Sequence, residues 1–303
     1  MNMLRLKNFK GIAELNVPIN QFTVIVGKNN IGKTSILEAM YMLRNQSINN
    51  TREMLWSRGI SNIFYYLPYY YRNNSYILDD YGELHIKSSK ENVYVGENEV
   101  KTFLKIDIND FVTDVAENSK YTFNSKEIFI ADYINKSLEL SIYLRPILQT
   151  DKIFIDSLLS RFYNYKEFRV NSIDRQIFID NGSDLIPLSM YGTGLHRALL
   201  MLLAVIHSKN SVLYIDEIET GLHTEIMPEY FEGLFYLAKK YNVSLMIATH
   251  SDDIIKSFAK SDIFVSSAVL NKVYMSNNKL NIKSFTGNEV KEARLEWRAD
   301  LRI

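Results

Sequence analysis

A short segment bounded by two glycines has the residue types and the spacing of a phosphate-binding loop. Its nine consecutive residues are Gly27, Lys28, Asn29, Asn30, Ile31, Gly32, Lys33, Thr34 and Ser35. The glycines let backbone N–H groups turn toward phosphate oxygens, and the helix predicted to follow adds its positive N-terminal end. An apolar segment, residues 22–26, precedes the loop, so the pattern G-x-x-x-x-G-K-[ST] lies in the strand-loop-helix context that it requires.

Two residues at the end of this loop are expected to have distinct roles. Lys33 would place its positive charge against the β- and γ-phosphates of a nucleotide. The Thr34 hydroxyl is a hard oxygen ligand of the kind that Mg²⁺ prefers. The competing interpretation is a glycine turn with a solvated lysine, which the flanking strand and helix disfavour. The loop therefore predicts a nucleoside triphosphate and Mg²⁺ as ligands.

Two adjacent carboxylates, Asp216 and Glu217, follow an apolar segment at residues 212–215. Ligands of open α/β sheets bind beyond the carboxyl ends of the strands. We predict that Asp216 holds the magnesium shell and that Glu217 orients or deprotonates the attacking water. A solvated strand end is the alternative, and the phosphate loop elsewhere in the chain argues against it.

A second predicted strand, residues 243–249, leads into His250 and Ser251. A histidine at this point can donate a hydrogen bond to a γ-phosphate and so respond to its presence. A purely structural histidine is the competing interpretation. The carboxylate-bearing strand just before it in the chain favours the functional role.

A third segment has the composition of an anion-binding helix start. Ser189 and Thr193 supply hydroxyl groups, and Gly192 and Gly194 precede a long apolar helix. The N-terminus of a helix attracts anions. This pattern is weak by itself, and its place between the phosphate loop and the carboxylate strand strengthens it.

The elements that must position these residues follow an α/β pattern. Alternating segments at residues 4–9 and 13–19 predict strands, and later apolar strands alternate with helices. Short strands and a helix fill residues 46–165. We therefore predict one main domain made of residues 1–45 and 166–303, with an α+β lobe, residues 46–165, inserted into it.

Composition limits the classes of function. The chain has 303 residues, 47% of them hydrophobic, so it can bury a full core. Its 35 basic residues balance 35 acidic residues, which gives no global basic surface for nucleic acid. Cysteine is absent, which excludes disulfides and thiolate chemistry. We expect no secretory signal, and the longest apolar run, residues 198–206, is shorter than the about 20 residues that span a bilayer, so a cytoplasmic protein without membrane contact is predicted.

The order of these motifs resembles that of the ABC-type ATPase heads of SMC, RecF and OLD proteins. The resemblance is greatest to small OLD-like AAA ATPases of prokaryotic defence and DNA maintenance that lack a Toprim nuclease domain. The matching segments are residues 6–11, 27–34, 192–194 with Arg197, 215–223, 249–251 and 299–302. The resemblance implies an α/β fold of the P-loop NTPase class: an ABC-ATPase-like head with a mixed central sheet and helices on its faces, plus the inserted α+β lobe.

The resemblance also implies a mechanism and partners. ATP and Mg²⁺ are the implied cofactors, and Lys33, Glu217 and His250 are the implied catalytic residues. Members act as head-to-tail homodimers that close on ATP. The phosphate loop of one copy is then capped by the signature segment of the other, which corresponds here to Ser189, Gly192, Thr193 and Gly194. A separate effector such as a nuclease, and DNA, are the further partners expected in DNA repair or phage defence.

Several assignments stay open at this point. Tyr191 stands near a position where a small residue is usual, so either Ser189 or Thr193 could contact the γ-phosphate. The candidates for the glutamine of the Q-loop are Gln46, Gln149 and Gln176. A nucleotide sensor with negligible turnover uses the same residues as an ATPase. A transporter's nucleotide-binding subunit is a further alternative, which the poor signature segment disfavours.

Two other patterns have plainer interpretations. Tyrosines in residues 65–72 could stack on single-stranded nucleic acid, but the neutral charge balance favours packing or a partner surface. Arginines recur every four residues near the C-terminus, and acidic residues are interleaved with them. We interpret this helix as a solvated face whose charges pair with one another.

Overall fold

The computed structural model describes most of the chain outside the region between residues 45 and 144. The described residues are 2–10, 12–44, 75–79, 82–88, 92–98, 101–107, 114–115, 128–130, 142, 145–171, 176–296 and 300–301. The tyrosine-rich run at residues 65–72 and the candidate Gln46 lie outside them.

Within the described residues the central sheet has six strands, β3 (Phe22–Val26), β9 (Ile128–Ile130), β13 (Val212–Ile215), β14 (Ser244–Thr249), β15 (Ala268–Ser276) and β16 (Lys279–Thr286). Their order across the sheet is β16-β15-β3-β14-β13-β9. The strands other than β16 are parallel, and β16 pairs antiparallel with β15. Every residue of β3, β9 and β13 is buried, as expected for parallel strands covered on both faces.

A second sheet begins with the N-terminal hairpin and continues through antiparallel strands in the order β2-β1-β4-β5-β6-β7-β8. Its strands are β1 (Asn2–Phe9), β2 (Ile12–Ile19), β4 (Ser75–Asp79), β5 (Gly82–Ser88), β6 (Asn92–Asn98), β7 (Lys101–Asp107) and β8 (Asp114–Val115). Because β4 pairs with β1 and β9 pairs with β13, the region predicted as an inserted lobe shares strand pairs with the rest of the chain. The boundaries of that lobe stay a prediction.

The helices cover the central sheet. They are α1 (Lys33–Arg44), α2 (Gln149–Leu159), α3 (Thr193–His207), α4 (Met227–Lys240), α5 (Asp252–Ala259), α6 (Asp262–Val265) and α7 (Gly287–Lys291), with a 3₁₀ turn at Leu188–Met190 and a π-helical turn at Glu292–Glu296. One core lies between the sheet and helices α2 to α6, and another lies between the sheet, α1 and the β1–β2 hairpin. Alternate strand residues enter the two cores, Val24 the first and Ile25 the second. This three-layer arrangement confirms the predicted fold class.

A small sheet precedes α3. It consists of β10 (Glu167–Asn171), β11 (Gln176–Asp180) and β12 (Leu185–Pro187), all antiparallel. The β11–β12 hairpin turns at Asn181-Gly182, a dipeptide typical of such turns, and Gly182 has a φ of +96° that suits glycine. The strand β10 was not predicted.

The C-terminal helical segment differs from its predicted solvated, self-paired face. Arg294 is buried, and its Nη2 donates a hydrogen bond of 2.5 Å to Asp252 of α5. The pattern of alternating charges was misleading here, because one arginine of the series points inward to a carboxylate on another helix. Arg298 and Arg302 lie outside the described residues.

Candidate functional site

The phosphate loop connects β3 to α1 at the carboxyl edge of the central sheet. Two of its residues have backbone conformations that favour glycine: Gly32 has a φ of +99°, and Gly27 has a φ of +156°. A Cβ atom on Gly27 would also lie 2.6 Å from the carbonyl oxygen of Val273 in β15. Glycine is therefore required here both for the turn and for the close approach of a neighbouring strand. Lys28, Asn29 and Asn30 are exposed, so the loop is open to a ligand.

Lys33 begins α1 and is held inside the loop. Its Nζ donates hydrogen bonds to the carbonyl oxygens of Gly27 (3.0 Å) and Lys28 (2.9 Å). Burial lowers the pKa of the Lys33 ammonium below its ordinary value of 10.5, and nearby negative charges, led by Asp216, oppose that shift. An ammonium has three N–H donors, so these two bonds leave a third for a phosphate oxygen.

The two predicted metal ligands meet. Thr34 Oγ1 donates a hydrogen bond of 2.8 Å to Asp216 Oδ2, although the residues are 182 positions apart. Among the described residues no cluster of three or more histidine, aspartate or glutamate side chains forms a metal site. A hydroxyl and a carboxylate fit Mg²⁺, because this ion usually takes one or two protein oxygens and completes its shell with water and phosphate oxygens.

Glu217 follows Asp216 at the end of β13 in an unusual backbone conformation. Its φ is +47°, and its side chain is half-buried. The carbonyl oxygens of Asp216 and Glu217 both accept hydrogen bonds from Arg197 Nη2, at 2.9 and 3.0 Å. Arg197 belongs to a segment that carries the family resemblance, but the sequence alone predicts no role for it.

His250 lies at the end of β14, one strand from Asp216. Its backbone N–H donates a hydrogen bond of 3.0 Å to Glu219 Oε1, and its Nδ1 lies 3.0 Å from the same oxygen. Glu219 Oε2 is buried and has no hydrogen-bond partner among the described residues. Sequence reasoning missed Glu219, although its position three residues after Asp216 in the segment 215–223 was a usable signal.

The signature segment lies at the start of α3. Ser189, Gly192 and Thr193 are exposed, and Gly192 is the N-cap of the helix with no side chain capping it. Gly194 differs, because a Cβ there would lie 2.5 Å from the carbonyl oxygen of Gly221. The first turn of α3 thus packs on the loop after Glu217, and the hydroxyl-bearing residues remain on the surface.

The geometry as a whole is that of a polyphosphate site at the carboxyl ends of adjacent strands. The structure brings Lys33, Thr34, Asp216, Glu219 and His250 into one connected set of hydrogen bonds and charges. Gln149 and Gln176, the two described candidates for the Q-loop, lie in α2 and β11. Among the described contacts none connects Gln149 to this set, and the side chain of Gln176 is outside the description, so the Q-loop assignment stays open.

Comparisons with known proteins point the same way. A family model described as AAA ATPase domain matches residues 1–143 and 56–255. An ATP/GTP phosphatase of Helicobacter pylori is 23% identical over 325 residues, which cover 84% of this chain and 86% of that protein. The DNA replication and repair protein RecF of Oenococcus oeni is 40% identical over 68 residues, which cover 21% of this chain and 18% of that protein.

A solved structure with a similar fold extends the match to nearly the whole chain. It is the SMC head bound to the C-terminal winged-helix domain of ScpA, with a TM-score of 0.54 and 13% identity. The alignment covers 94% of this chain and 97% of that one. The likeness supports the predicted fold of an ABC-type ATPase head.

Proposed function

Because the chain belongs to the family of AAA ATPase domains and is an ATPase, we propose that it hydrolyses Mg²⁺-bound ATP at the residues assembled around Lys33, Thr34 and Asp216. The observation that carries this proposal is the 2.8 Å hydrogen bond between Thr34 and Asp216. It connects the phosphate loop to the carboxylate strand and brings together a hydroxyl and a carboxylate that would hold a magnesium ion.

Each residue of the site has a defined task in this proposal. The loop N–H groups and Lys33 bind the β- and γ-phosphates, while Thr34 and Asp216 hold Mg²⁺, which neutralises phosphate charge. Glu217 orients the attacking water and accepts its proton. His250, beside the carboxylate of Glu219, is placed to contact the γ-phosphate, because its Nδ1 lies 3.0 Å from Glu219 Oε1 and its Nε2 is left for a second partner.

A head-to-tail homodimer completes the proposed site. Ser189, Gly192 and Thr193 are exposed at the start of α3, which suits a contact with ATP on a second copy. Met190, in the same segment, exposes 77% of its surface and would be covered in such an interface. Gly194 is assigned to packing within its own chain, because Gly221 already occupies the space beside it. ATP would favour the dimer only through its stronger binding to the closed state.

The same cycle is proposed to control a separate effector in DNA maintenance or antiviral defence. Two comparisons support this: a relative named for DNA replication and repair, and a fold shared with an SMC head that binds ScpA. A nuclease and DNA are therefore the partners to test. Within the described ranges, no helix is both long and apolar enough to cross a membrane.

The decisive experiment measures phosphate release and oligomeric state together. Glu217→Gln should lower turnover to a small residual rate and accumulate an ATP-bound dimer on size exclusion with light scattering. Glu14→Gln is the control, because it makes the same charge change at an exposed position of β2. A Glu217→Gln protein that stays monomeric with ATP and Mg²⁺ would refute the dimer mechanism, and one that keeps wild-type turnover would refute the role of Glu217. Phosphate release with and without DNA separates an ATPase from a nucleotide sensor with negligible turnover.

A further inference from the structure

One arginine inside the protein is bonded to the backbone on which the proposed catalytic glutamate stands. Arg197 lies in the second turn of α3 and is 3% exposed. Its Nη2 donates to the carbonyl oxygens of both Asp216 and Glu217, at 2.9 and 3.0 Å. We infer that Arg197 is a positioning residue for ATP hydrolysis, which fixes the direction of the Glu217 side chain. This inference rests on the proposed role of Glu217.

The two bonds depend on the conformation of Glu217. In an extended strand, successive peptide groups point to opposite sides, so one nitrogen cannot reach two consecutive carbonyl oxygens. At Glu217 the chain leaves β13 with a φ of +47°, a conformation that residues other than glycine seldom adopt. This turn brings both carbonyl oxygens to Arg197. The bonds of Arg197 therefore stabilise the left-handed turn in preference to a continued strand.

The buried charge makes this restraint strong. A guanidinium stays protonated at all working pH values and is costly to bury unless its N–H groups are hydrogen-bonded. Hydrogen bonds from a charged donor are shorter and stronger than neutral ones. A rotation of the Glu217 backbone would break at least one of them, at a guanidinium that is only 3% exposed. Left-handed strain at a functional residue persists only where its surroundings hold it, and Arg197 supplies that support.

A second contact from the same helix holds the far end of the loop. Thr193 and Arg197 are four residues apart and so lie on one face of α3, about 6 Å apart along its axis. Thr193 and Gly194 contact Gly221, and Arg197 contacts Asp216 and Glu217. One helix face therefore supports the loop of residues 216–221 at both ends. The loop has little freedom to change the position of the Glu217 carboxylate.

The test separates positioning from folding and from nucleotide binding. Arg197→Met keeps the side-chain length without donors, and it should lower kcat about 100-fold, the cost of a small misplacement of a catalytic group. Its Kd for ATP should stay within about threefold, because the two bonds that the substitution removes go to the backbone of Asp216 and Glu217 and not to the phosphate loop. Arg197→Lys places a charged donor on a shorter side chain, so its kcat should be about tenfold higher than that of Arg197→Met. Tyr230→Phe is the matched control, since it removes a different buried side-chain bond, from the Tyr230 hydroxyl to the Ala198 carbonyl of α3, and neither residue belongs to the loop.

Each outcome has a defined meaning. In the Glu217→Gln background, Arg197→Met should reduce residual turnover by less than about threefold, because both changes remove the same function. A full additional 100-fold loss would show that Arg197 does not act through Glu217. If Arg197→Met does not fold, Arg197→Lys decides: a kcat at least about fivefold lower with unchanged ATP affinity supports positioning, and wild-type kcat overturns it. An inactive wild type, or an active Glu217→Gln, would instead refute the proposed function.

Discussion

Gly194 and Gly192 are two residues apart, and the structure predicts that a change to alanine lowers the stability of the monomer at Gly194 but not at Gly192. A Cβ on Gly194 would lie 2.5 Å from the carbonyl oxygen of Gly221 and 3.3 Å from the Tyr163 hydroxyl. A Cβ on Gly192 would meet nothing within 4 Å, and its φ of −62° is open to any residue. Gly194→Ala should therefore damage the folded monomer, and Gly192→Ala should not.

The magnitude follows from the contact. Real Cβ atoms essentially never lie within 3.0 Å of a heavy atom outside their own residue and its chain neighbours, so the backbones of Gly194 and Gly221 must separate by at least 0.5 Å, the difference between 3.0 and 2.5 Å. Overpacking of this kind costs about 3 kcal/mol. Alanine is favoured over glycine in a helix by about 1 kcal/mol, which offsets part of the cost. A net loss of about 2 kcal/mol corresponds to a Tm lower by roughly 3 °C in a chain of 303 residues, because the entropy of unfolding is about 2.1 cal/mol/K per residue. Gly192→Ala changes only an N-cap, with an expected cost below about 1 kcal/mol.

Thermal unfolding without nucleotide and turnover with ATP distinguish the two variants. We expect Gly194→Ala to lower both the Tm of the apo monomer and kcat, because a displaced Gly221 disturbs the loop that carries Glu217. Gly192→Ala should keep the Tm and lower turnover only through the dimer, where a methyl group at an exposed helix start meets the second copy. A Gly194→Ala protein with the Tm of the wild type would refute the close packing of α3 on Gly221.

Three further predictions test separate parts of the molecule. Lys33→Ala should abolish ATP binding in calorimetry, because the loop loses its buried charge and two hydrogen bonds, and retained affinity would refute the site assignment. Glu219→Gln should lower kcat about tenfold, the worth of one charge-assisted hydrogen bond, with little change in ATP affinity, and unchanged kcat would exclude Glu219 as a support of His250. Burial, and secondarily Arg145, lowers the pKa of His207 from 6.5 to about 4. The contribution of neutral His207 to the free energy of unfolding is therefore fully present above pH 6.5 and is lost as the pH falls toward 4. His207→Gln should flatten that part of the curve of Tm against pH, and a curve parallel to the wild type would contradict this origin.

The sequence was most informative where the chemistry is local. The phosphate loop, the strand that precedes it and the helix that follows it occupy consecutive residues, so their pattern could be recognised without long-range contacts. The predicted strands ending at Asp216 and His250 are also present, because short apolar runs in an α/β protein become buried parallel strands. The fold class followed from this alternation of strands and helices.

The sequence was least informative where the argument depends on contacts between distant residues. Glu219 pairs with His250 across 31 positions, and Arg197 bonds a loop 19 and 20 positions away. Neither contact has a periodic signal, because each joins a side chain to a backbone atom on another element. Strand order has the same difficulty: nothing local in residues 128–130 indicates that this segment forms the edge of the central sheet beside β13.

These long-range contacts give α3 two functions at once. Thr193 lies at its exposed start, where the proposed dimer would bring ATP of the second copy, and Arg197, one turn further, fixes the Glu217 backbone of its own copy. Eleven residues of this helix are buried, so it can move only as a rigid unit. A displacement of Thr193 on closure of the dimer would therefore be transmitted to Glu217. If the proposed dimer forms, the closing of one ATP site and the geometry of the catalytic glutamate in the other should change together, and the Gly194 and Arg197 variants should uncouple them.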